Sequence, residues 1–240
     1  MRLQAFLRAT AAHGREVVAL EPFTAYFHPS DGLKYLNYAV PADDAEPGAD
    51  EIERLRAAFR ERDRLPRLEW VEEAAPLVAA ALERAGMQEE LRTPMMACSA
   101  EELIEPDVPG AEIAPAGEED FRELSDIQRV AFGGEPLGTD AQPHVPSGGA
   151  VLARIAGEPV SAADWTPVID GYSEIVGVAT ADAWRRRGLA GLVTAAATRA
   201  AFEAGAATCV LSPGDETALR VYARAGFHRI ATMLHYSDSA

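Results

Sequence analysis

The chain has 240 residues, 48% of them hydrophobic, and a formal net charge of −16. This length predicts one large domain or two small ones, and no apolar run is long enough to span a membrane. The negative charge argues against nucleic acid as a partner and either attracts a cationic acceptor such as an amine or only serves solubility. The first residues lack a signal peptide's apolar core, and Cys98 and Cys209 lack metal-ligand spacing. We therefore expect a cytoplasmic protein with buried free thiols and no metal.

The first half of the chain predicts alternating strands and helices after a short N-terminal helix. Residues 51–62 carry Ile52, Leu55 and Phe59 at helical spacing, and Gly86 ends a second predicted helix. The predicted strands are 16–20, 34–40, 68–71 and 94–98, the predicted helices are 51–62 and 73–85, and 41–50 is a predicted loop.

The second half follows a linker that we expect within residues 103–115, where prolines and acidic residues concentrate. Residues 132–149 are rich in Gly and Pro and predict a mobile loop, and Asp215 is the expected N-cap of the last helix. Strands are predicted over 112–114, 150–156, 159–166, 174–180, 208–211 and 227–236, and helices over 118–131, from Leu189 to Gly205, and over 216–225.

A basic turn joins the strand 174–180 to the helix that begins near Leu189. Arg185, Arg186 and Arg187 precede Gly188 in this turn. The order strand, basic turn, helix directs unpaired backbone N–H groups and the positive end of a helix towards one place. Such an arrangement favours the binding of a phosphate or a diphosphate.

Two motifs in this half resemble those of the GNAT (N-acetyltransferase) superfamily. The first is Arg185-x-x-Gly188-x-Ala190, which follows Gly177-Val178-x-Thr180 in the expected central strand. The second is Asp215-x-x-Ala218-x-x-x-Tyr222-x-x-x-Gly226-Phe227. The resemblance covers about Ala111 to Tyr236.

The resemblance implies an α/β (α+β) fold, in which helices flank a mixed, mostly antiparallel sheet. It implies acyl transfer from acetyl-CoA or another acyl-CoA, without a metal, to the amine of a small molecule or a peptide terminus. Transfer to a hydroxyl stays open, and the alternative is a non-catalytic acyl-CoA-binding sensor or partner module. Dimers are frequent in the family, so a homodimer is consistent with the resemblance.

For coenzyme A, the resemblance implies backbone pairing of the pantetheine arm with the central strand and binding of the diphosphate by the turn. The alternative is that Gly188 is an ordinary loop glycine and the arginines form a solvated patch. Asp215 departs from the family pattern, in which asparagine is frequent. The residues predicted to bind the cofactor are Val176, Val178, Thr180, Arg185, Arg186, Arg187, Gly188, Leu189, Ala190, Gly191 and Asp215.

Tyr222 and Glu174 are the predicted catalytic residues. By resemblance, Tyr222 protonates the leaving thiolate; the alternative is a tyrosine that fills the core. Glu174 is the candidate base, directly or through water, because an amine of pKa about 10 is mostly protonated at neutral pH. Its alternative is a strand-edge charge that faces solvent. Asp164 and Trp165 are weaker candidates for contacts with the acceptor.

The order of elements repeats with an offset of 140 residues, which pairs Gly48 with Gly188 and Gly86 with Gly226. In the first copy, acidic and uncharged residues (45–47 and Asp50) replace the arginines and Ala190, and Leu82 stands in place of Tyr222. We therefore predict a degenerate GNAT-like domain without a cofactor site over residues 1–105, and the acyltransferase domain over 111–240.

Overall fold

A computed structural model describes residues 3–29, 32 and 34–238. The outer limits of the two predicted domains, residues 1 and 240, lie outside the described residues. Contacts divide the chain into two compact units. The first unit contains the chain up to Met95 together with the residues from Ile230 onward, and the second is Met96–Arg229.

The helices and strands alternate along most of the chain. The helices are α1 (Leu3–Ala12), α2 (Ala49–Arg60), α3 (Val78–Arg84), α4 (Phe121–Ala131), α5 (Leu189–Glu203) and α6 (Glu216–Arg224). The strands are β1 (Glu16–Leu20), β2 (Phe23–Phe27), β3 (Tyr38–Pro41), β4 (Arg67–Val71), β5 (Gln88–Cys98), β6 (Ala111–Pro115), β7 (Gly149–Ile155), β8 (Glu158–Trp165), β9 (Tyr172–Thr180), β10 (Thr208–Leu211) and β11 (His228–Ser237).

The first unit is built on strands in the order β1-β2-β3-β4-β11. The pairs are antiparallel except β3 with β4, where Ala39 pairs with Leu68 in parallel. Buried side chains from both helices and strands, including Phe59, Trp70 and Tyr236, form its core. Burial of such large apolar groups is the main stabilising contribution to a domain of this size.

The second unit has antiparallel strands β6-β7-β8-β9, a parallel pair of β9 with β10, and Met96–Cys98 of β5 antiparallel to β10. One face packs on α5 through Val193, Ala197 and Ala201, and the other packs on α4 through Leu124 and Ile127. A mixed, mostly antiparallel sheet flanked by helices confirms the predicted fold class.

The predicted repeat is visible in the positions of the elements. α2 and α5 begin at residues 49 and 189, and β5 and β11 begin at 88 and 228. α3 and α6 both end in the sequence Arg-Ala-Gly, whose glycines have φ of +84° and +100°. The offset of 140 residues therefore holds for the starts of α2 and α5, the ends of α3 and α6, and the starts of β5 and β11.

The boundary between the units differs from the predicted limits of 105 and 111. Met96–Cys98 pair with β10, and Met233–Ser237 pair with β4. The final strand of each sequence half thus contributes residues to the unit that the other half forms. Such long-range pairing leaves no mark in the local pattern from which the limits were predicted.

Several predicted elements also differ in extent, and the strand predicted over 94–98 begins already at Gln88. The strand predicted over 34–40 begins only at Tyr38, because Lys34–Leu36 form a 3-10 turn. The helix predicted over 73–85 is interrupted, and α3 begins only at Val78 after a 3-10 turn at Glu72–Ala74. Pro76 lies between the two pieces, and proline lacks the N–H that a helix interior needs.

Glu90 belongs to a charged network inside the first unit. Burial alone would raise the pKa of Glu90, but hydrogen bonds from Lys34, Arg67 and Ser237 outweigh it and lower the pKa to about 2. Lys34 Nζ and Arg67 Nε each lie 2.9 Å from a Glu90 carboxylate oxygen. Since the pKa is depressed on folding, the stabilisation is present above the unfolded value of 4.5 and disappears as the pH falls towards 2.

We expect Glu90→Gln to lower the free energy of unfolding by about 3 kcal/mol at pH 7 and by much less at pH 3. Urea unfolding at both pH values measures this difference. Glu61→Gln is the matched control, because Glu61 is 75% exposed and has only a 4.0 Å ion-pair contact. A loss in Glu90→Gln that stays constant with pH would contradict the assignment.

Candidate functional site

Among the residues that the structure describes, no side chain caps the N-terminus of α5. Gly188 is the N-cap residue, with φ of +86°, and neither a side-chain cap nor an acidic residue occupies the first turn. Gly188 is exposed. The first N–H groups of a helix have no partner within it and carry its positive dipole end, so this terminus is suited to an anion.

The equivalent terminus in the first unit is occupied by the chain itself. Gly48 caps α2, but the carboxylate of Glu51 accepts a hydrogen bond of 2.8 Å from the Gly48 N–H. Asp50 adds a second negative charge in the first turn. A diphosphate would therefore meet carboxylates at α2, whereas at α5 it would meet N–H groups.

A cavity of about 440 Å³ lies against the start of α5 in the second unit. Its walls come from β9, the basic turn, α5 and α6. Predicted site residues on its walls are Val178, Thr180, Arg185, Arg186, Gly188, Leu189, Ala190, Gly191, Asp215 and Tyr222. Val176, Arg187 and Glu174 are predicted site residues that do not line it.

The three arginines of the turn have different surroundings. Arg185 forms an ion pair of 2.9 Å with Asp182, and the guanidinium of Arg187 lies 4.6 Å from the centre of the Trp184 ring. Arg186 has φ of +64° and no ion pair or hydrogen bond from its side chain among the described residues. Arg186 is thus the one of the three arginines that can bind an anion at the cavity without losing such a contact.

Strand β9 separates from β10 beside this cavity. The last pair is Glu174 with Val210, although β9 continues to Thr180. A bulge accompanies the separation, because Val176 pairs with Asp164 while Ala179 pairs with Ala162. The edge of β9 after Glu174 is therefore open to an extended ligand that pairs with its backbone.

Gly177 lies in this bulge with φ of +63°. A Cβ there would clash with the side-chain amide of Gln128, which donates a 3.0 Å hydrogen bond to the Gly177 carbonyl. Only glycine combines this backbone angle with so close an approach.

Tyr222 faces the cavity from α6 and is only 9% exposed. Burial, with a smaller contribution from the negative charge of Asp215, raises the pKa of Tyr222 to about 12. The phenol is therefore protonated at neutral pH. Among the hydrogen bonds of the described residues none involves its hydroxyl, so the proton is available to a bound group.

Asp215 caps α6 as predicted, and its side chain accepts a 2.7 Å hydrogen bond from the Ala218 N–H. It also lines the cavity.

We expect Asp215→Asn to keep the cap, since asparagine caps as well as aspartate. Removal of a negative charge should strengthen the binding of an anionic ligand in the cavity about twofold. Calorimetric titration with acetyl-CoA measures this, and weaker binding would contradict it.

Glu174 lies on the strand face that also carries Val176 and Asp164, since alternate residues of a strand share a face. Its N–H donates to the Thr166 hydroxyl at 2.9 Å. Trp165 instead packs in the core on the α5 side, next to Ile175. The structure therefore places Glu174 and Asp164 on the α4 side of β9 and Trp165 on the other.

Two residues on the α4 side were not singled out in the sequence. Gln128 of α4 donates a 3.0 Å hydrogen bond to Asp164, and His144 Nε2 lies 3.3 Å from Asp164 Oδ2. Gln128 is a polar residue on the buried side of α4, and a polar residue among the apolar positions of a predicted helix can be recognised from the sequence. His144 lies in an irregular loop, where no sequence pattern distinguishes it.

Within residues 3–29, 32 and 34–238, no group of three or more His, Cys, Asp or Glu side chains could hold a metal ion. The same part of the chain contains no helix that is long and apolar enough to cross a membrane.

Comparison with known proteins places the chain in a family. Residues 152–235 match the family model of FR47-like proteins. A GCN5-related N-acetyltransferase from Kribbella flavida is 35% identical, with a TM-score of 0.85 over 100% of this chain and 97% of that one. Comparison with the curated proteins found no significant match.

More distant structures share the fold. A GCN5-related N-acetyltransferase from Sphaerobacter thermophilus has 15% identity and a TM-score of 0.64 over 90% of this chain and 76% of that one. A tandem GNAT protein from the clavulanic acid biosynthesis pathway has 10% identity and a TM-score of 0.59 over 90% and 77%. The fold thus has two GNAT-like halves, and the chain belongs to the GCN5-related N-acetyltransferase (GNAT) family.

Proposed function

We propose that the protein transfers an acyl group, most simply acetyl, from coenzyme A to an amine. The observation that carries this proposal is the uncapped N-terminus of α5, which opens on a cavity that also contains Tyr222. The similarity to an N-acetyltransferase of 35% identity supports the same reaction class.

We propose that the N–H groups of residues 186–191 bind the diphosphate of the donor, with Arg186 as the unpaired cation. A helix N-terminus contributes about 0.3–1 kcal/mol per exposed negative charge. The residues present fit such a group, because the turn offers N–H donors and an open glycine where α2 offers a carboxylate. Arg185 and Arg187 add positive charge nearby.

The pantetheine arm is rich in amides and matches the open edge of β9. We propose that backbone groups of Val176, Val178 and Thr180 pair with it as an added strand would. The parting of β9 from β10 after Glu174 supports this role, because it frees the required edge. Side chains matter little for such contacts, so the absence of Val176 from the cavity wall is compatible with the role.

In the transfer, we propose that Tyr222 gives its proton to the departing thiolate. A buried phenol with a raised pKa keeps that proton at neutral pH and can donate it in the transition state. We propose Glu174 as a base, directly or through water, that removes a proton from the attacking nitrogen. The overall negative charge raises the local concentration of cationic acceptors.

Release of free thiol from acetyl-CoA tests the proposal. The protein is incubated with acetyl-CoA and each of butylamine, a diamine, lysine and a peptide with a free amino terminus. We expect thiol release that depends on at least one of these amines. Tight binding of acetyl-CoA without thiol release on any of them would favour a non-catalytic binding module instead.

A further inference from the structure

A histidine and a buried aspartate meet beside the bulge of β9. Asp164 is 3% exposed, and its two carboxylate oxygens lie 3.0 Å from Gln128 Nε2 and 3.3 Å from His144 Nε2. The His144 side chain is 57% exposed. A desolvated carboxylate whose other partner is a neutral amide is stabilised by a second N–H donor, here the His144 ring.

This pair lies beside the residues of β9 with which the pantetheine arm is proposed to pair, on the β8 side of that strand. Asp164 pairs with Val176 across the β8–β9 ladder. Its Oδ2 would be 3.3 Å from a Cβ at Gly177, and the following residue, Val178, lines the cavity. The pair therefore lies beside Val176 and Gly177, within the stretch of β9 that has separated from β10.

The position of Asp164 beside Nε2 leaves the other ring nitrogen of His144 able to accept a proton. A carboxylate beside Nε2 favours the tautomer with its hydrogen on Nε2, which leaves the lone pair on Nδ1. Among the described residues no hydrogen bond or ion pair involves His144 Nδ1. Aspartate thus orients the imidazole and stabilises the imidazolium that forms, while the exposed ring can return its proton to water.

We propose that His144 is a catalytic base, positioned by Asp164, that removes the first proton from the acceptor's ammonium group. This inference rests on the proposed amine acylation. The nitrogen loses two protons when an ammonium becomes an amide. The first goes to His144 and then to solvent. The second leaves after addition to the thioester, through Glu174, and replaces the proton that Tyr222 gives to the sulfur as the C–S bond breaks. One proton is therefore released overall.

Two acceptors of equal length separate this role from a structural one. Butylamine is mostly protonated at pH 7, whereas the nitrogen of O-propylhydroxylamine is neutral and needs no first deprotonation. We expect His144→Gln to lower kcat/KM for butylamine about 100-fold and for O-propylhydroxylamine less than about threefold. Asp164→Asn should give the same selective loss in weaker form, whereas Glu174→Gln should slow both acceptors.

His228→Gln is the matched control. His228 is 55% exposed and lies 3.3 Å from the carboxylate of Glu102, but it stands at the start of β11 rather than beside the bulge of β9; neither His228 nor His144 lines the cavity. We expect this variant to turn over both acceptors at the wild-type rate. An equal loss for both acceptors in His144→Gln, or no loss for either, would overturn the inference and leave the proposed function intact. Wild-type protein that turns over neither of these acceptors nor any other amine of the thiol-release panel would overturn both the inference and the proposed function.

Discussion

Gly188→Glu is expected to weaken acetyl-CoA binding at least about 100-fold, because a carboxylate about 4 Å from a phosphate repels it by about 4 kcal/mol at an effective dielectric of 20. The side chain would start from the N-cap of α5, where the proposed diphosphate site lies. Its Cβ would also meet Val108 Cγ2 at 3.3 Å. Calorimetric titration with acetyl-CoA measures the loss.

Backbone strain must be separated from this effect, since Gly188 has φ of +86°. Gly205→Ala is the matched control, because Gly205 has φ of +103° and a Cβ there would meet no atom within 4 Å. Each substitution should cost about 1–2 kcal/mol of stability for the left-handed backbone. Only Gly188→Glu should lose acetyl-CoA, and an unchanged dissociation constant would remove α5 from the donor site.

Tyr222→Phe is expected to lower kcat about 100-fold, the lower end of the range for loss of a general acid. We expect no larger decrease in kcat, because a thiolate is a good leaving group even without a proton donor. The dissociation constant of acetyl-CoA should change less than about twofold, since the phenol acts in the transition state rather than in binding. Steady-state thiol release and calorimetry together measure the two quantities.

Tyr236→Phe provides the comparison for loss of a buried hydroxyl. Tyr236 is fully buried in the first unit and donates a 2.8 Å hydrogen bond to Glu83. Its removal should cost about 1–3 kcal/mol of stability while kcat stays unchanged. If Tyr222→Phe retained full kcat, Tyr222 would be a core residue, as the alternative interpretation of the sequence has it.

Local signals in the sequence predicted much of the fold and the walls of the cavity. Asp215 caps α6, and Thr208–Leu211 form a strand with the predicted bounds. The spacing of Gly188 after Arg185 placed the start of α5 at Leu189. Caps, glycines and apolar periodicity are properties of a few neighbouring residues, so a single sequence contains them.

Features that depend on distant residues could not be predicted in this way. Asp164 meets His144 and Gln128 only because α4, a loop and β8 converge. The stacking of Arg187 on Trp184 withdraws one of three adjacent arginines from the cavity, and nothing in the run of three distinguishes it. The pairing of β5 with β10 and of β11 with β4 is likewise long-range.

The repeat has some features that the sequence predicts and others that only the folded chain shows. The sequence placed Gly48 and Gly188 at equivalent positions, and both are N-caps. It also showed acidic residues beside Gly48. That Glu51, which was not among those residues, accepts a hydrogen bond from the Gly48 N–H is a feature of the folded chain. The N-termini of α2 and α5 therefore differ in this hydrogen bond, so α2 serves as a comparison for α5 within the same protein.

A crystal structure with acetyl-CoA tests the central claim most directly. We predict the diphosphate within hydrogen-bond distance of the N–H groups of residues 186–191, the thioester beside the Tyr222 hydroxyl, and nothing bound at the N-terminus of α2. A diphosphate held away from α5, or a nucleotide bound at α2, would contradict the account.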